Sequence, residues 1–330
     1  MNPLWNTFLL SQQATITLTD TDFPPATDSP QARLFAPVHL AVLTVGGNDA
    51  ATLLQGQITC NIKDISENQS SIGALCTAKG RVISTFIVIK SGAVFHLLLP
   101  KTLLPTLHKR LQMYVLRSAV TLTDNTDRLC LIGLHSQIAD TSPLFATEQQ
   151  DGLIRIKLSR TEQRYVVIAD AEPSIAYWDQ QRQQHAIPTS SSQWHYQDIL
   201  SGLPWLSPET SEEFIPQMLN LDELGGISYN KGCYTGQEIV ARTHYLGKAK
   251  RALYLAQCPN TVLPAANSAI VTPTGETNTV VGKVLQAALA PDQQHCLLLV
   301  VLSATEQESP QLSLDDLPPS PITLLPEHTL

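Results

Sequence analysis

The chain has 330 residues, 43% hydrophobic and 15% charged, with a formal net charge of −8. That length exceeds what one hydrophobic core usually serves, so two or three domains are expected and no disulfide staples are needed. The apolar content excludes a disordered chain, and the acidity argues against broad nonspecific nucleic-acid binding.

The charge is unevenly placed. Residues 1–32 hold three acids and no Lys or Arg, and residues 252–330 hold one base against seven acids. Residues 33–251 hold 20 bases against 19 acids, so an anionic small ligand is compatible with this near-neutral middle. No two of the six cysteines lie within three residues of each other, which excludes a CxxC metal or redox pair. The N-terminus lacks the basic region of an export signal, so the thiols read as reduced and cytoplasmic. No run of 18 apolar residues is present, so no membrane span is expected.

In chain order, residues 1–32 read as a poorly ordered lead-in, because Asp22 to Pro30 has loop composition. Residues 38–46 predict a buried strand, and Asn48 or Asp49 can cap a short helix ending at Gly56. Runs 71–77, 81–90 and 93–99 predict a meander. A helix follows over 101–115, with leucines 103, 104, 107 and 111 on one face. Strands are predicted at 118–123, 128–134, 152–158 and 164–169, then helices at 172–184 and from about Ser192. Strands in clusters without alternating helices indicate an α+β fold. From residue 251 onward β-rich runs separated by Pro and Gly predict a separate β-barrel or sandwich, with the last Pro-rich stretch as an edge strand.

The densest segment for chemistry is 214–251, FIPQMLNLDELGGISYNKGCYTGQEIVARTHYLGKAKR. Thr235-Gly236-Gln237-Glu238 matches a capping box, which starts a helix near Thr235. Cys233 then precedes a positive helix terminus, with Lys231 two residues upstream, and both favour a thiolate. The same spacing also fits a small buried thiol, and the residues alone leave both readings open. Arg242 is placed to pair with Glu238 or with a carboxylate ligand. Trp194 is a core residue or, if it lines a cleft, a stacking surface for a flat heteroaromatic ligand. No metal-ligand spacing, nucleotide loop or nucleophile elbow is present.

The stretch Lys231-Gly232-Cys233-Tyr234-Thr235-Gly236-Gln237-Glu238 resembles the signature of the YgfZ family of folate-binding proteins, relatives of the glycine-cleavage T-protein (aminomethyltransferase). Leu54 to Thr59 (LQGQIT) and Cys76 to Arg81 (CTAKGR) agree with it, in the family's order. The resemblance implies two interleaved ferredoxin-like α+β domains around a central cleft within 33–250, followed by a C-terminal β-barrel over 251–330. It implies tetrahydrofolate or a one-carbon derivative as ligand, with Trp194 stacking on the pterin and Arg242 pairing with the glutamate tail. A second family tryptophan corresponds here to about Leu40. The T-protein's aspartate at the folate reactive end has no counterpart, because residues 98–106 contain no acid.

The resemblance therefore implies an accessory protein for iron–sulfur enzymes, including those that thiolate tRNA, with Cys233 as the working thiol. The alternatives are a folate-dependent aminomethyl or one-carbon transferase and a thiol-redox protein on the same scaffold. The acidic tails and the lack of a basic stripe oppose direct tRNA binding.

Overall fold

A computed structural model describes residues 1–25, 32–247, 249–259, 262–274, 277–303, 305, 311–315 and 320–326. The chain divides into two compact units. Unit 1 comprises 1–55, 61–72 and 86–194; unit 2 comprises 56–60, 73–85 and 195–330.

The chain opens with α1 (Pro3–Ser11) and a hairpin of β1 (Thr15–Ile16) and β2 (Thr21–Asp22). Next come β3 (Ala32–Phe35), β4 (Leu40–Gly46) and α2 (Ala50–Gln57). The meander is β5 (Ser71–Cys76), β6 (Val82–Ser91) and β7 (Val94–Pro100), followed by α3 (Leu104–Val115) and β8 (Thr121–Asp124). Then come β9 (Cys130–Ser136), β10 (Thr147–Gln150), β11 (Leu153–Lys157), β12 (Gln163–Ala169), α4 (Ala171–Gln183), β13 (Ile187–Pro188) and α5 (Ser191–Leu200).

Within unit 1, one sheet has the order β10-β11-β12-β9-β3-β13, and a second places β7 beside β4 and β4 beside β8. Only β13 against β3 is parallel among the pairs of the first sheet. The leucines of α3 bury Leu104, Leu107 and Leu111, as their helical spacing requires. Pro105 is tolerated because it falls in the first turn.

The lead-in is not the poorly ordered segment that its composition predicted. Asn2 caps α1, its side chain accepting from the amides of Leu4 and Trp5, and Pro3 takes the first helical position. Trp5 and Leu9, four residues apart, are buried in a core with Leu34, Ile132, Tyr165 and Trp178. The Trp5 and Trp178 rings meet edge to face at 5.6 Å, and Phe23 packs on Trp178 at 5.7 Å. Two buried aromatic side chains of the lead-in, Trp5 and Phe23, outweigh the loop-forming residues around them. Positions 26–31, which include most of the expected Pro-Ser loop, lie outside the described residues.

Unit 2 contains α6 (Gln237–Leu246) and six strands, β14 (Arg251–Cys258), β15 (Ala269–Thr274), β16 (Thr277–Leu289), β17 (Cys296–Ser303), β18 (Leu312–Leu314) and β19 (Ser320–Leu324). These close a barrel in the order β14-β17-β16-β15-β18-β19. Pairing of Ala256 with Leu324 joins β14 to β19, so the late Pro-rich stretch supplies the closing strand and removes the free edge. Leu298, Val300, Leu302, Val284 and Ile270 fill the interior.

The compact units do not divide at residue 250, where the composition changes. Residues 195–250 belong with the barrel. Asn220 exchanges two hydrogen bonds of 3.1 Å with the backbone of Leu253. Gln286 Oε1 accepts from the Trp205 amide at 3.0 Å, and Lys283 Nζ lies 2.5 Å from Glu213 Oε2. Among the described residues no helix is long and apolar enough to cross a membrane.

Candidate functional site

Unit 2 brings together residues 56–59, 76–81 and 231–238 of the three sequence stretches that carry the family resemblance. The Thr235 amide donates to Gly56 O at 3.3 Å, and Thr235 Oγ1 donates to Gln57 Oε1 at 3.0 Å. Thr59 Oγ1 donates to Gly226 O at 2.6 Å and accepts from the Ala74 amide at 2.9 Å. The 77–81 turn lies against the start of α6. A Cβ on Gly236 would sit 2.6 Å from Thr77 O, and one on Gly80 would sit 2.8 Å from Ile239 Cβ. Both glycines have positive φ, +87° and +69°. Glycine is needed at each for two independent reasons, conformation and space. Gly232 is different: nothing crowds it.

Cys233 is exposed on this loop, whereas Cys60, Cys76, Cys130, Cys258 and Cys296 are buried. Burial pushes the Cys76 thiol up to about 12, and those of Cys130 and Cys296 up to about 11. The reading of Cys233 as a small buried thiol is therefore excluded, and it is the one accessible cysteine.

One local reason for its reactivity and the expected cap of the following helix are corrected. The Lys231 ammonium is buried and committed elsewhere, donating to Ile58 O and Cys60 O at 2.7 Å each. Burial also lowers its pKa to about 8. It lies 5.0 Å from the centre of the Tyr234 ring, whose hydroxyl is buried. Lys231 thus works as a staple between the 58–60 backbone and the signature loop. The capping box does not form either. The N-cap of α6 is Gly236 in left-handed conformation, without a side-chain cap, because Thr235 is turned to Gln57. Gln237 is the first residue of α6.

Glu238 pairs with Arg242 one helical turn on, at 3.2 Å, and both are largely exposed. Arg242 thus takes the first of its two expected partners. An aromatic group with little signal in the sequence forms between Tyr229 and the end of α6. Tyr229 and His244 stack with ring centres 3.7 Å apart, and Tyr245 meets His244 edge-on at 4.8 Å. The only sequence signal for it was the adjacent His-Tyr pair late in the helix.

Trp194 and Leu40 lie in unit 1. Trp194 has no exposed surface. Its ring packs on Phe35 at 5.3 Å and under the Arg164 guanidinium at 4.3 Å, and a Cβ on Gly133 would come within 2.5 Å of it. The expectation of an open stacking face on Trp194 is not met, because these three neighbours occupy the space a pterin would need.

Leu40 lines a cavity of about 630 Å³ in unit 1. Its wall is mostly apolar, including Trp5, Ile16, Val38 and Leu129, and Lys101 contributes a cation. That volume and lining are ordinary for a site holding a small organic ligand. The lead-in supplies part of the wall, so its order matters to the cavity.

Fold and site together define a class. The chain matches the glycine cleavage system aminomethyltransferase T of Bartonella henselae with a TM-score of 0.72. The match covers 91% of this chain and 87% of that one at 12% identity, so it is a likeness of fold. The protein therefore has the T-protein fold, a mixed α+β chain with a closed C-terminal barrel, as the resemblance implied. Its relatives narrow the class. The tRNA-modifying protein YgfZ of Colwellia psychrerythraea is 32% identical over 300 residues, 86% of this chain and 90% of that protein. The protein of the same name from Klebsiella pneumoniae is 32% identical over 305 residues, 88% of this chain and 92% of that protein. The chain belongs to the YgfZ family. No protein-family model matches it.

Proposed function

We propose that this protein is a cytoplasmic, tetrahydrofolate-binding accessory factor in tRNA modification. It supports iron–sulfur enzymes, including those that thiolate tRNA, with Cys233 as its working thiol. The observation that carries this reading is the exposure of Cys233, alone among six cysteines, on a loop held by Lys231, Thr235 and Gly236. A thiol fixed on a rigid support and open to solvent suits contact with another molecule better than packing. The relatives named tRNA-modifying proteins supply the context.

The cavity beside Leu40 suits a folate in size and chemistry. Apolar walls would hold the pterin, and Lys101 would meet a carboxylate. Trp194 does not fit the stacking role expected of it, being enclosed in the core; Arg242 keeps an accessible guanidinium in its exposed pair with Glu238. When bound, the folate would supply one-carbon chemistry. The T-protein fold keeps a one-carbon transferase as the second reading. Against it, Lys101 stands in the acid-free 98–106 stretch and lines the cavity, so that stretch offers no carboxylate as a general base.

Two experiments test the proposal. In a null strain, Cys233→Ser is expected to leave tRNA thiolation unrestored; full restoration overturns the thiol role. Titration with tetrahydrofolate is expected to change the fluorescence of Trp5, which lines the cavity, and to lose that change in Trp5→Phe but not in Trp194→Phe. A flat titration of the wild-type protein removes the ligand.

A further inference from the structure

We propose that Tyr229, His244 and Tyr245 form a stacking platform for unpaired bases of an RNA strand, whose phosphates are met by the cationic stretch that follows. The choice of RNA rests on the tRNA-modification reading above; the stacking surface itself does not.

The platform is not core. Tyr245 and the following Leu246 are 64% and 82% exposed, and Val240 is the one buried residue of α6. Leaving large rings in water is unfavourable, so a cluster of them on an exposed helix end marks a contact surface. It is also built. Tyr229 and His244 are nearly parallel, at 15°, and Tyr245 stands edge-on to both, at 3.7, 4.8 and 6.2 Å between ring centres. Buried Gln217 ties the two elements that carry the rings. Its Nε2 donates to Val240 O in α6 at 2.7 Å and to the Tyr229 hydroxyl at 3.4 Å. Rings fixed in advance lose little entropy when a base stacks on them.

The local charge agrees. Residues 228–251 contain five bases and one acid, in a chain of net charge −8. Lys231 is buried, which leaves Arg242, Lys250 and Arg251 among the described residues, and Arg242 and Lys250 are exposed. Asp222, after burial, helps hold the Tyr229 hydroxyl in its neutral form. It disfavours phosphate beside Tyr229, so the cations of 242–251 are the groups left to meet it. Base stacking on aromatic rings is tolerant of sequence, and duplex bases have no free face to offer. The total charge had argued against RNA contact; the local surface argues for it at one place.

The test is fluorescence anisotropy of the full chain with an unstructured labelled oligoribonucleotide and with its duplex. We expect the single strand to bind more tightly, and Tyr245→Ala and His244→Ala each to weaken binding about tenfold, which is about 1.4 kcal/mol. Tyr245→Phe should bind like wild type, and melting curves should be unchanged in all three variants. Affinity should fall as salt rises. Equal binding of duplex, no binding, or unchanged binding by Tyr245→Ala with a wild-type melting curve overturns the proposal. So does loss of tRNA modification in Tyr245→Ala cells without weaker RNA binding, which would make the cluster a protein-docking surface. None of these outcomes bears on the folate titration or on Cys233→Ser, so the two readings fail separately.

Discussion

The signature loop of unit 2 and the cavity of unit 1 are built by opposite means. The loop is fixed by backbone and polar contacts. Lys231 clamps two carbonyls, Thr235 reaches Gln57, and two glycines let backbones touch. What it offers outward is small and chemical, a thiol. The cavity is walled by side chains such as Trp5, Ile16 and Leu40. What it offers is an apolar volume with one cation. A site made by backbone geometry tolerates almost no change in residue type at its glycines. One made by apolar side chains tolerates swaps that keep volume. The same contrast explains why the 231–238 stretch is so recognisable while the cavity has no sequence signature.

Four measurements can break or sharpen this contrast. The largest effect is expected from Trp5→Ala, which removes a buried indole from both the α1 core and the cavity wall. It should cost about 3–5 kcal/mol in a denaturant titration. A loss under about 1 kcal/mol would return the lead-in to a loosely attached segment.

Acid should weaken unit 1 through His96, which is buried, bonded to Thr44 Oγ1 at 2.9 Å, and lowered to about 4 by desolvation and then by Arg128. The unfolded chain takes up this proton near pH 6.5, the folded chain only near 4. Stability from this group is therefore lost as pH falls through that window, by roughly 3 kcal/mol. His96→Gln should lose this share of the slope and keep the part that His135, also lowered by burial, contributes.

For the loop, Gly236→Ala forces a positive φ on a residue with a Cβ and drives it into Thr77 O. The expected cost is about 1–3 kcal/mol, read as a lower melting temperature. A neutral result would mean the close approach of the 77–81 turn is not required.

The smallest effect belongs to Lys231→Met, which orphans two carbonyls but also removes a buried charge, for a net cost of about 1–2 kcal/mol at neutral pH. Between pH 8 and 10.5 the unfolded wild-type chain binds more protons at Lys231 than the folded chain does. Wild-type stability should therefore gain from this group as pH rises through that window, and the variant should lack the gain.

Hydrophobic periodicity and turn residues determined by themselves most of what is local here. The strand at 38–46, the meander, the leucine face of α3 and the β-rich end were legible because each depends on neighbours a few residues away. The α1 helix was legible too, in Asn2-Pro3 and in the Trp5–Leu9 spacing, although the Pro-rich composition after it points to disorder. The 231–238 stretch identified the family, because a turn needing glycine at Gly236 and a buried lysine at Lys231 leaves little freedom of sequence. What only the tertiary structure decided were the partners. Thr235 gave its hydroxyl to Gln57 instead of capping α6, and Lys231 turned to residues more than 170 positions away. Trp194 lost its open face to Phe35, Gly133 and Arg164, while Cys233 kept its exposure. Exposure and hydrogen-bond choice depend on which distant segments arrive beside a residue. Spacing along the chain carries no record of that.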